Sequence, residues 1–281
     1  ITKITIKPGT KSYDALFFKE ASLSDFPDRQ VIPLFGANGV GKSTFIDAIR
    51  SDFVYRQKAE TIWKKISDLK KERETYHSAH KDCVAVKRVD DRIAFWNRTL
   101  EKEKEKQEAE CEGIAEDEKC ALYFYRNGDT NFSNSPAGTC DAYDPTRVSL
   151  FWDAKHLSEG QSLVFSVDGL LDGFLKNESW HEDGMENIVL LDEIDSGLSI
   201  DNIDYLCRKI RRIVKKWSDT QFFIAFNSPE ILGYFPYVLS MYDGKMHKID
   251  GYDIMRAELK ANKKMLDKAR KKSNGQYRIF E

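Results

Sequence analysis

Residues 36–43 have the types and the spacing needed to hold a chain of phosphate groups. They read Gly-Ala-Asn-Gly-Val-Gly-Lys-Ser, which fits the pattern G-x-x-x-x-G-K-S. The glycines let successive backbone N–H groups turn toward phosphate oxygens at the positive end of a following helix. Lys42 can then reach the outer phosphates, and the Ser43 hydroxyl can coordinate Mg²⁺. The pattern therefore predicts a site for a nucleoside triphosphate with Mg²⁺.

The segments on either side of this loop fit such a site. An apolar run at residues 31–35 precedes the loop, and a helix-like segment at residues 44–50 follows it. Pro33 is irregular, because proline lacks the N–H group that a central strand donates. The residues expected to bind the triphosphate are Gly36, Ala37, Asn38, Gly39, Val40, Gly41, Lys42, Ser43 and Thr44.

Two adjacent carboxylates follow a second apolar run. Residues 187–193 read Asn-Ile-Val-Leu-Leu-Asp-Glu, so a buried strand would end at Asp192 and Glu193. In open α/β sheets, ligands bind beyond the carboxyl ends of the strands. We expect Asp192 to hold Mg²⁺ together with Ser43. We expect Glu193 to act as the general base that activates the water attacking the γ-phosphate.

A third motif, Leu-Ser-Glu-Gly-Gln at residues 157–161, precedes a helical run at residues 162–171. Ser158 is a suitable N-cap, and Gln161 three residues later completes a capping box. A helix N-terminus with free amides is a second anion site. One subunit needs only one phosphate site, so Ser158, Gly160 and Gln161 make sense if they close on the nucleotide of another subunit.

In the order of these motifs the chain resembles the ATP-binding cassette (ABC) superfamily, whose signature is Leu-Ser-Gly-Gly-Gln. The resemblance implies an α/β fold of the ABC type of P-loop NTPase, and an ATPase that forms ADP and phosphate. It also implies a head-to-tail homodimer that sandwiches two ATP molecules. In that dimer, Ser158 and Gly160 would contact the γ-phosphate across the interface, while Lys42 and Glu193 serve catalysis.

Three positions depart from the family pattern. Glu159 replaces a signature glycine, Ser199 stands where the family usually has an interface aspartate, and Asn227 stands where a histidine usually ends the switch strand. Asn227 can donate a hydrogen bond to the γ-phosphate, but it cannot carry charge. Gln57 lies too close to the loop to be the family's γ-phosphate-sensing glutamine. These departures predict slow hydrolysis with ATP binding retained.

The residues next to the motifs indicate a branch of the superfamily. Asp-Glu-Ile-Asp-Ser-Gly-Leu is similar to SMC proteins and SufC-type ATPases, and Ser-Pro-Glu at residues 228–230 is similar to RecF-like and OLD-like ATPases. This resemblance implies that dimer opening and closing is coupled to DNA or to a partner effector, such as a nuclease or toxin, in DNA repair or phage defence. Two alternatives stay open: a nucleotide-binding subunit of an ABC transporter, whose membrane partner is less favoured, and a SufC-like cytosolic assembly ATPase.

Composition sets weaker limits on partners and location. With 44 basic and 46 acidic residues, the net charge indicates no particular partner. None of the five cysteines lies in a C-x-x-C pair, so we expect free thiols in a reducing cytoplasm. Basic residues in the tail and along the helical run at residues 203–217 indicate either nucleic-acid contact or a solvated surface. Those of the helix are Arg208, Lys209, Arg211, Arg212, Lys215 and Lys216.

The chain divides into four segments. Residues 1–56 would form an ATP-binding lobe that begins with antiparallel strands. Residues 57–112 lack Gly and Pro, and apolar positions spaced by three and four predict an antiparallel helical hairpin with a coiled-coil-like seam. The alternative for this segment is a helical subdomain packed on the core. Residues 113–252 would complete the ABC domain, and residues 253–281 would form a basic C-terminal helix or tail.

Overall fold

The computed structural model describes residues 1–27, 30–78, 83–114, 119–126, 159–181 and 185–249. The strands are β1 (Lys3–Ile6), β2 (Glu20–Ser22), β3 (Val31–Phe35), β4 (Ala109–Glu112), β5 (Lys119–Arg126), β6 (Met185–Asp192), β7 (Thr220–Ala225), β8 (Tyr237–Ser240) and β9 (Met246–Lys248). The α-helices are α1 (Lys11–Ala15), α2 (Lys42–Ser78), α3 (Cys83–Glu105), α4 (Glu159–Lys176) and α5 (Ile200–Lys216). Short 3₁₀ helices span Glu178–His181 and Pro229–Gly233.

A six-stranded, mostly parallel sheet confirms the predicted α/β class. Its strand order is β5-β6-β7-β3-β8-β9, and only β9 runs antiparallel to its neighbour. The sequences of β6 and β7 are runs of Val, Ile, Leu and Phe, as expected for strands covered on both faces. Since β3, β5, β6 and β7 are parallel, their carboxyl ends meet at one edge of the sheet.

Each face of this sheet is covered by different elements. On one face, Val189 and Phe222 pack in a core cluster with residues of α4 and α5. On the other face, Leu190 and Phe223 pack in a second cluster with α2 and with β1. Neighbouring residues of one strand point to opposite faces, so the alternation explains how each strand serves both clusters. The helices α2 and α4 therefore lie on opposite faces.

Pro33 is tolerated in β3 because of where its missing N–H would point. Phe222 N donates to Gln30 O, and Met241 N donates to Phe35 O. The backbone N–H and C=O groups of even-numbered residues of β3 therefore point toward β7, and those of odd-numbered residues point toward β8. The register between β3 and β8 covers only Leu34 and Phe35, so Pro33 faces β8 at a level where no ladder pair has formed.

A separate antiparallel sheet has the order β2-β1-β4. Its strand β4 corrects the expectation that the helical segment extends to residue 112, since Ala109–Glu112 pairs with β1. Ala109 and Cys111 are buried while Glu110 and Glu112 are exposed, which is the alternation of a half-buried strand. Four residues are too few for this period to stand out from the charged helical pattern before them.

Helix α2 is continuous for 37 residues, or about 55 Å. It runs from the glycine-rich motif at residues 36–43, called the phosphate loop below, to the far end of the hairpin. We expected one helix to end near residue 50 and another to begin at residue 57, so this division is wrong. Residues 51–56 contain neither Gly nor Pro to end a helix. Asp52 and Phe53 are buried, and Asp52 accepts a hydrogen bond from Arg56 Nε at 2.8 Å one turn later.

The helical hairpin is present and antiparallel. Lys58 pairs with Glu103 at 2.7 Å near the base, Lys65 lies 4.1 Å from the centre of the Trp96 ring, and Arg73 pairs with Asp90 at 2.7 Å farther out. Residues later in α2 therefore contact residues earlier in α3, so the two helices are antiparallel. The seam is formed by buried apolar side chains of both helices, namely Ile62, Ile66, Leu69 and Val89.

Two expectations fall on parts of the chain outside the described residues. These are the first two residues of the motif at 157–161 and the tail at residues 253–281. Within the described ranges, no helix combines the length and apolar character needed to cross a lipid bilayer.

The continuity of α2 predicts the effect of a helix-breaking change at exposed Gln57. Gln57→Pro removes the backbone hydrogen bond to the carbonyl of Phe53 and introduces a clash with it, so we expect a loss of about 3 kcal/mol in the free energy of unfolding. Urea denaturation measures the loss, with Gln57→Ala as the matched control. Equal stability of the two variants would mean that the helix is interrupted at this position.

Candidate functional site

The phosphate loop lies between the end of β3 and the start of α2, as its motif requires. The structure places residues 36–41 in the connection, and Lys42 is the first residue of the helix. Gly39 has φ of +79° and Gly41 has φ of +103°, a region that residues with a side chain rarely adopt. At Gly41 a Cβ atom would also lie 2.8 Å from Leu16 Cδ2. These two glycines are therefore required by the shape of the loop.

The lysine of the loop is folded back over it. Lys42 is 7% exposed, and its Nζ donates to the carbonyl oxygen of Gly36 at 2.6 Å. Asn38 and Gly39 are exposed at the outer turn of the loop, whereas Val40 is buried beneath it. The backbone N–H of Ala37 donates to the hydroxyl of Tyr242 at 2.7 Å. The positive charge thus lies inside the loop, where phosphate oxygens would be held.

Ser43 and Asp192 meet across the sheet edge. Ser43 Oγ donates to Asp192 Oδ1 at 3.0 Å, which joins the first turn of α2 to the last residue of β6. The carboxylate of Asp192 is only 1% exposed. Its second oxygen, Oδ2, accepts a hydrogen bond from Arg126 Nε at 2.7 Å. The structure therefore brings both of the predicted metal-binding residues into direct contact.

The electrostatics of Asp192 are a balance between burial and hydrogen bonding. Burial raises the pKa of the Asp192 carboxyl above its usual value, because the charged form loses water. The hydrogen bonds from Arg126 and Ser43 act in the opposite direction and favour the carboxylate. A cation beside this carboxyl group therefore favours its charged form.

Ser43 and Asp192 supply one hydroxyl and one carboxylate, which fits Mg²⁺ but does not enclose it. Mg²⁺ usually keeps several waters and binds through one or two carboxylates plus substrate phosphates. Among the described residues, no group of three or more His, Cys, Asp or Glu side chains could hold a metal ion. Any Mg²⁺ at this edge would therefore rely on phosphate oxygens and water for its remaining ligands.

Glu193 lies at a sharp turn of the chain immediately after β6. Its φ of +56° makes it the only described non-glycine residue with a positive φ, and its side chain is exposed. Its backbone N–H donates to Ala225 O at 3.0 Å, which ties the turn to the end of β7. Such a conformation costs of order 1 kcal/mol and persists where the surroundings enforce it. The turn leaves the carboxylate of Glu193 open at the sheet edge.

Asp195 links this turn to the segment that follows β7. Its Oδ2 accepts the backbone N–H of Asn227 at 2.6 Å and also that of Ser228. Asp195 is 3% exposed, and its Oδ1 has no hydrogen-bond partner among the described residues. Asn227 itself is exposed. Asp195 thus holds the position of Asn227 relative to Glu193 through the backbone.

Two of the expected signature residues begin a helix on the other face of the sheet. Gly160 and Gln161 are in the first turn of α4, and Ser158 lies outside the described residues. Helix α4 packs on the face of the sheet opposite α2, which carries Lys42 and Ser43. The structure joins the loop, Asp192, Glu193 and Asn227 at one edge.

Two side chains of this edge were missed in the sequence. Arg126 ends β5 directly beside Asp192 in the parallel register, and its guanidinium also pairs with Asp47 at 2.8 Å. Tyr242 follows β8 and reaches the loop with its hydroxyl. Neither side chain could be assigned to the site from the sequence, because the partner of Arg126 depends on which strand lies next to β5.

The basic surface of α5 is smaller than the sequence indicated. Lys209, expected on the polar side, is 5% exposed and forms ion pairs with Asp168 and Asp172 of α4. Arg208 pairs with Asp204 one turn earlier, at 2.9 Å. The exposed basic residues of this helix are Arg208, Arg211, Arg212, Lys215 and Lys216.

The hydrogen bonds of Asp195 generate a prediction for local stability. Asp195→Ala removes the acceptor of the part-buried backbone N–H groups of Asn227 and Ser228. We therefore expect amide hydrogen exchange at these two residues to become faster by roughly tenfold or more. Hydrogen-exchange mass spectrometry of peptides covering residues 226–234 measures this rate. Asp201→Ala, which removes an exposed carboxylate at the start of α5, is the control and should change nothing there. Unchanged exchange in Asp195→Ala would contradict the role assigned to Asp195.

No protein-family model matches the sequence. No curated protein matches it, and no solved structure matches the fold.

Proposed function

We propose that this chain binds ATP with Mg²⁺ at the carboxyl edge of its parallel sheet and hydrolyses it slowly, as an ATPase of the ABC type of P-loop NTPase. The observation that carries the proposal is the hydrogen bond from Ser43 to Asp192 at 3.0 Å. It joins a glycine-rich loop at a helix N-terminus to an acidic strand end, which is the arrangement that P-loop NTPases use for Mg²⁺ and phosphate.

Each residue of the edge has a role in this proposal. The backbone N–H groups of residues 38–43 bind phosphate oxygens, and Lys42 turns from the Gly36 carbonyl to the outer phosphates. Asp192 and Ser43 hold Mg²⁺, whose charge would offset that of the phosphates during transfer. Glu193 accepts a proton from the attacking water, and the exposed Asn227 donates a hydrogen bond toward the γ-phosphate.

Hydrolysis is expected to be slow because Asn227 is a weak substitute for a titratable group. An amide donates a hydrogen bond, but it neither carries a positive charge nor exchanges a proton. The transition state of phosphoryl transfer is stabilised mainly by charge and by positioning. The site therefore favours holding ATP over cleaving it.

A second copy of the chain is proposed to complete the site. The phosphate loop and the exposed side chains of Glu193 and Asn227 lie at an open edge, while Gly160 and Gln161 start a helix on the other face. In a head-to-tail homodimer, Ser158, Gly160 and Gln161 of one copy would meet the ATP held by the other. The N-terminus of α4 would then place its free amides at the γ-phosphate.

The continuous helix α2 suggests how nucleotide is coupled to a partner. Its first residue, Lys42, lies in the phosphate loop, and its far half forms the hairpin with α3. A rigid helix transmits a tilt at one end to the other, so closure on ATP would redirect the hairpin. The proposed partners are DNA, for which the exposed basic residues of α5 offer phosphate contacts, or an effector protein such as a nuclease or toxin. A cytoplasmic location is part of this proposal.

Nucleotide binding is tested most simply at Lys42. A fluorescent ATP analogue with Mg²⁺ should bind the wild-type chain, and Lys42→Ala should bind it at least ~10-fold more weakly because the loop loses its buried cation. Lys58→Ala is the control, since Lys58 is on the same helix but pairs with Glu103 at the surface, where an ion pair contributes little. Equal binding by wild type and Lys42→Ala would refute a site at this loop.

Dimer formation is tested by blocking the chemical step. Glu193→Gln keeps the shape of the side chain but cannot accept the proton, so ATP should persist in the site and hold the dimer closed. Size-exclusion chromatography with light scattering should show a dimer with saturating ATP and a monomer without it. Adding Lys42→Ala to this variant should restore the monomer. A variant that stays monomeric at saturating ATP would exclude the sandwich for the isolated chain.

A further inference from the structure

Arg126 is hydrogen-bonded to the same carboxylate, Asp192, that is proposed to bind the metal ion. Its Nε donates to Asp192 Oδ2 at 2.7 Å, and its second nitrogen pairs with Asp47 Oδ1 at 2.8 Å. Its guanidinium carbon lies 5.2 Å from the centre of the Phe124 ring. Two carboxylates and an aromatic ring thus fix the guanidinium between β6 and α2. Both oxygens of Asp192 are in use, one by Ser43 and the other by Arg126.

This arrangement puts a permanent cation beside a proposed metal ligand. Arginine does not lose its proton at physiological pH, so the charge on Arg126 is always present. The Asp192 carboxylate is 1% exposed and the Arg126 side chain 28%, so water screens the pair less than it screens a surface ion pair. A divalent ion close to the same carboxylate would be repelled by the guanidinium and would have to share or replace its hydrogen bond.

We propose that Arg126 competes with the divalent metal for Asp192 and so keeps the metal affinity of the nucleotide-free site low. This inference rests on the proposed function, because it assigns a regulator to the same Mg²⁺ site. Metal then binds firmly only when nucleotide phosphates add negative charge at the edge. Arg126 is a positioning residue in this account, since it acts on the metal through Asp192.

The opposite role makes a different prediction, which allows a decisive test. If Arg126 merely orients Asp192 for the metal, its removal should weaken metal binding. If it competes with the metal, its removal should strengthen metal binding, because the carboxylate would be left without its cation. The sign of the change separates the two roles.

The test uses Mn²⁺ alone as the probe, with binding followed by the loss of the electron paramagnetic resonance signal of free Mn²⁺. We expect Arg126→Gln to bind Mn²⁺ at least ~10-fold more tightly than wild type in the absence of nucleotide. Arg126→Met, which keeps an unbranched stem against Phe124, should show the same gain. Arg126→Lys retains the charge and should stay within about threefold of wild type.

Two controls locate the effect. Arg50→Gln removes another cation, which lies 4.4 Å from the centre of the same Phe124 ring, and should change Mn²⁺ binding by less than about threefold. Arg126→Gln combined with Asp192→Asn should lose the gained affinity, because the carboxylate that binds the metal is gone.

Mn²⁺ affinity in Arg126→Gln and Arg126→Met that is equal to or weaker than that of wild type would overturn the inference. This outcome is distinct from failure of the proposed function, which is read from binding of the fluorescent ATP analogue by the wild-type chain. ATP binding without a gain in Mn²⁺ affinity would leave the function standing and remove the role of Arg126.

Discussion

Four parallel strands that end at one edge of the sheet are the constraint on which this site depends. The phosphate loop follows β3, Asp192 ends β6, Arg126 ends β5, and Asn227 comes shortly after β7. The register places Arg126 beside Asp192, and Asp192 beside Ala225. A slip of one residue would turn each side chain to the opposite face. The hydrogen bond between Ser43 and Asp192 therefore depends on pairings along the whole length of these strands.

Buried carboxylates hold the parts around this edge together, and each has hydrogen-bond donors that offset the loss of water. Asp192 has Ser43 and Arg126, and Asp195 has two backbone amides. Farther along α2, buried Asp52 accepts from Gln107 Nε2 at 2.6 Å and from Cys111 N at 3.3 Å, which fixes the base of the hairpin to β4. Because an unpaired buried charge is costly, these contacts favour one arrangement of helix, strand and loop.

Local pattern was enough to predict the parts of the site that lie within single segments. The spacing of the glycines predicted the loop after β3, and the apolar run before Asp192 predicted β6 and its two carboxylates. Arg126 and Tyr242 were not predictable in this way, because their partners come from strands and loops far apart in the sequence. The placement of Asp195 against the amides of Asn227 and Ser228 likewise requires knowledge that β6 and β7 are neighbours.

The fold likewise has elements that neighbouring residues in the sequence predict and elements that depend on contacts between distant segments. The hairpin and strand β6 followed from apolar patterns in the sequence, and the α/β class was implied by the resemblance to the ABC superfamily. The continuity of α2 was missed because a change in composition near residue 57 was interpreted as a boundary, although no residue there ends a helix. Strand β4 was missed because its four residues are ordered by pairing with β1, which no local propensity encodes.

The proposed site holds ATP in the phosphate loop, with Mg²⁺ at Ser43 and Asp192. A crystal structure of the chain with Mg²⁺ and a non-hydrolysable ATP analogue would show whether it does. We expect phosphate oxygens within hydrogen-bond distance of the backbone N–H groups of residues 38–43, with Lys42 moved from the Gly36 carbonyl to the phosphates. A nucleotide bound elsewhere, or a loop left unchanged at saturating nucleotide, would contradict it.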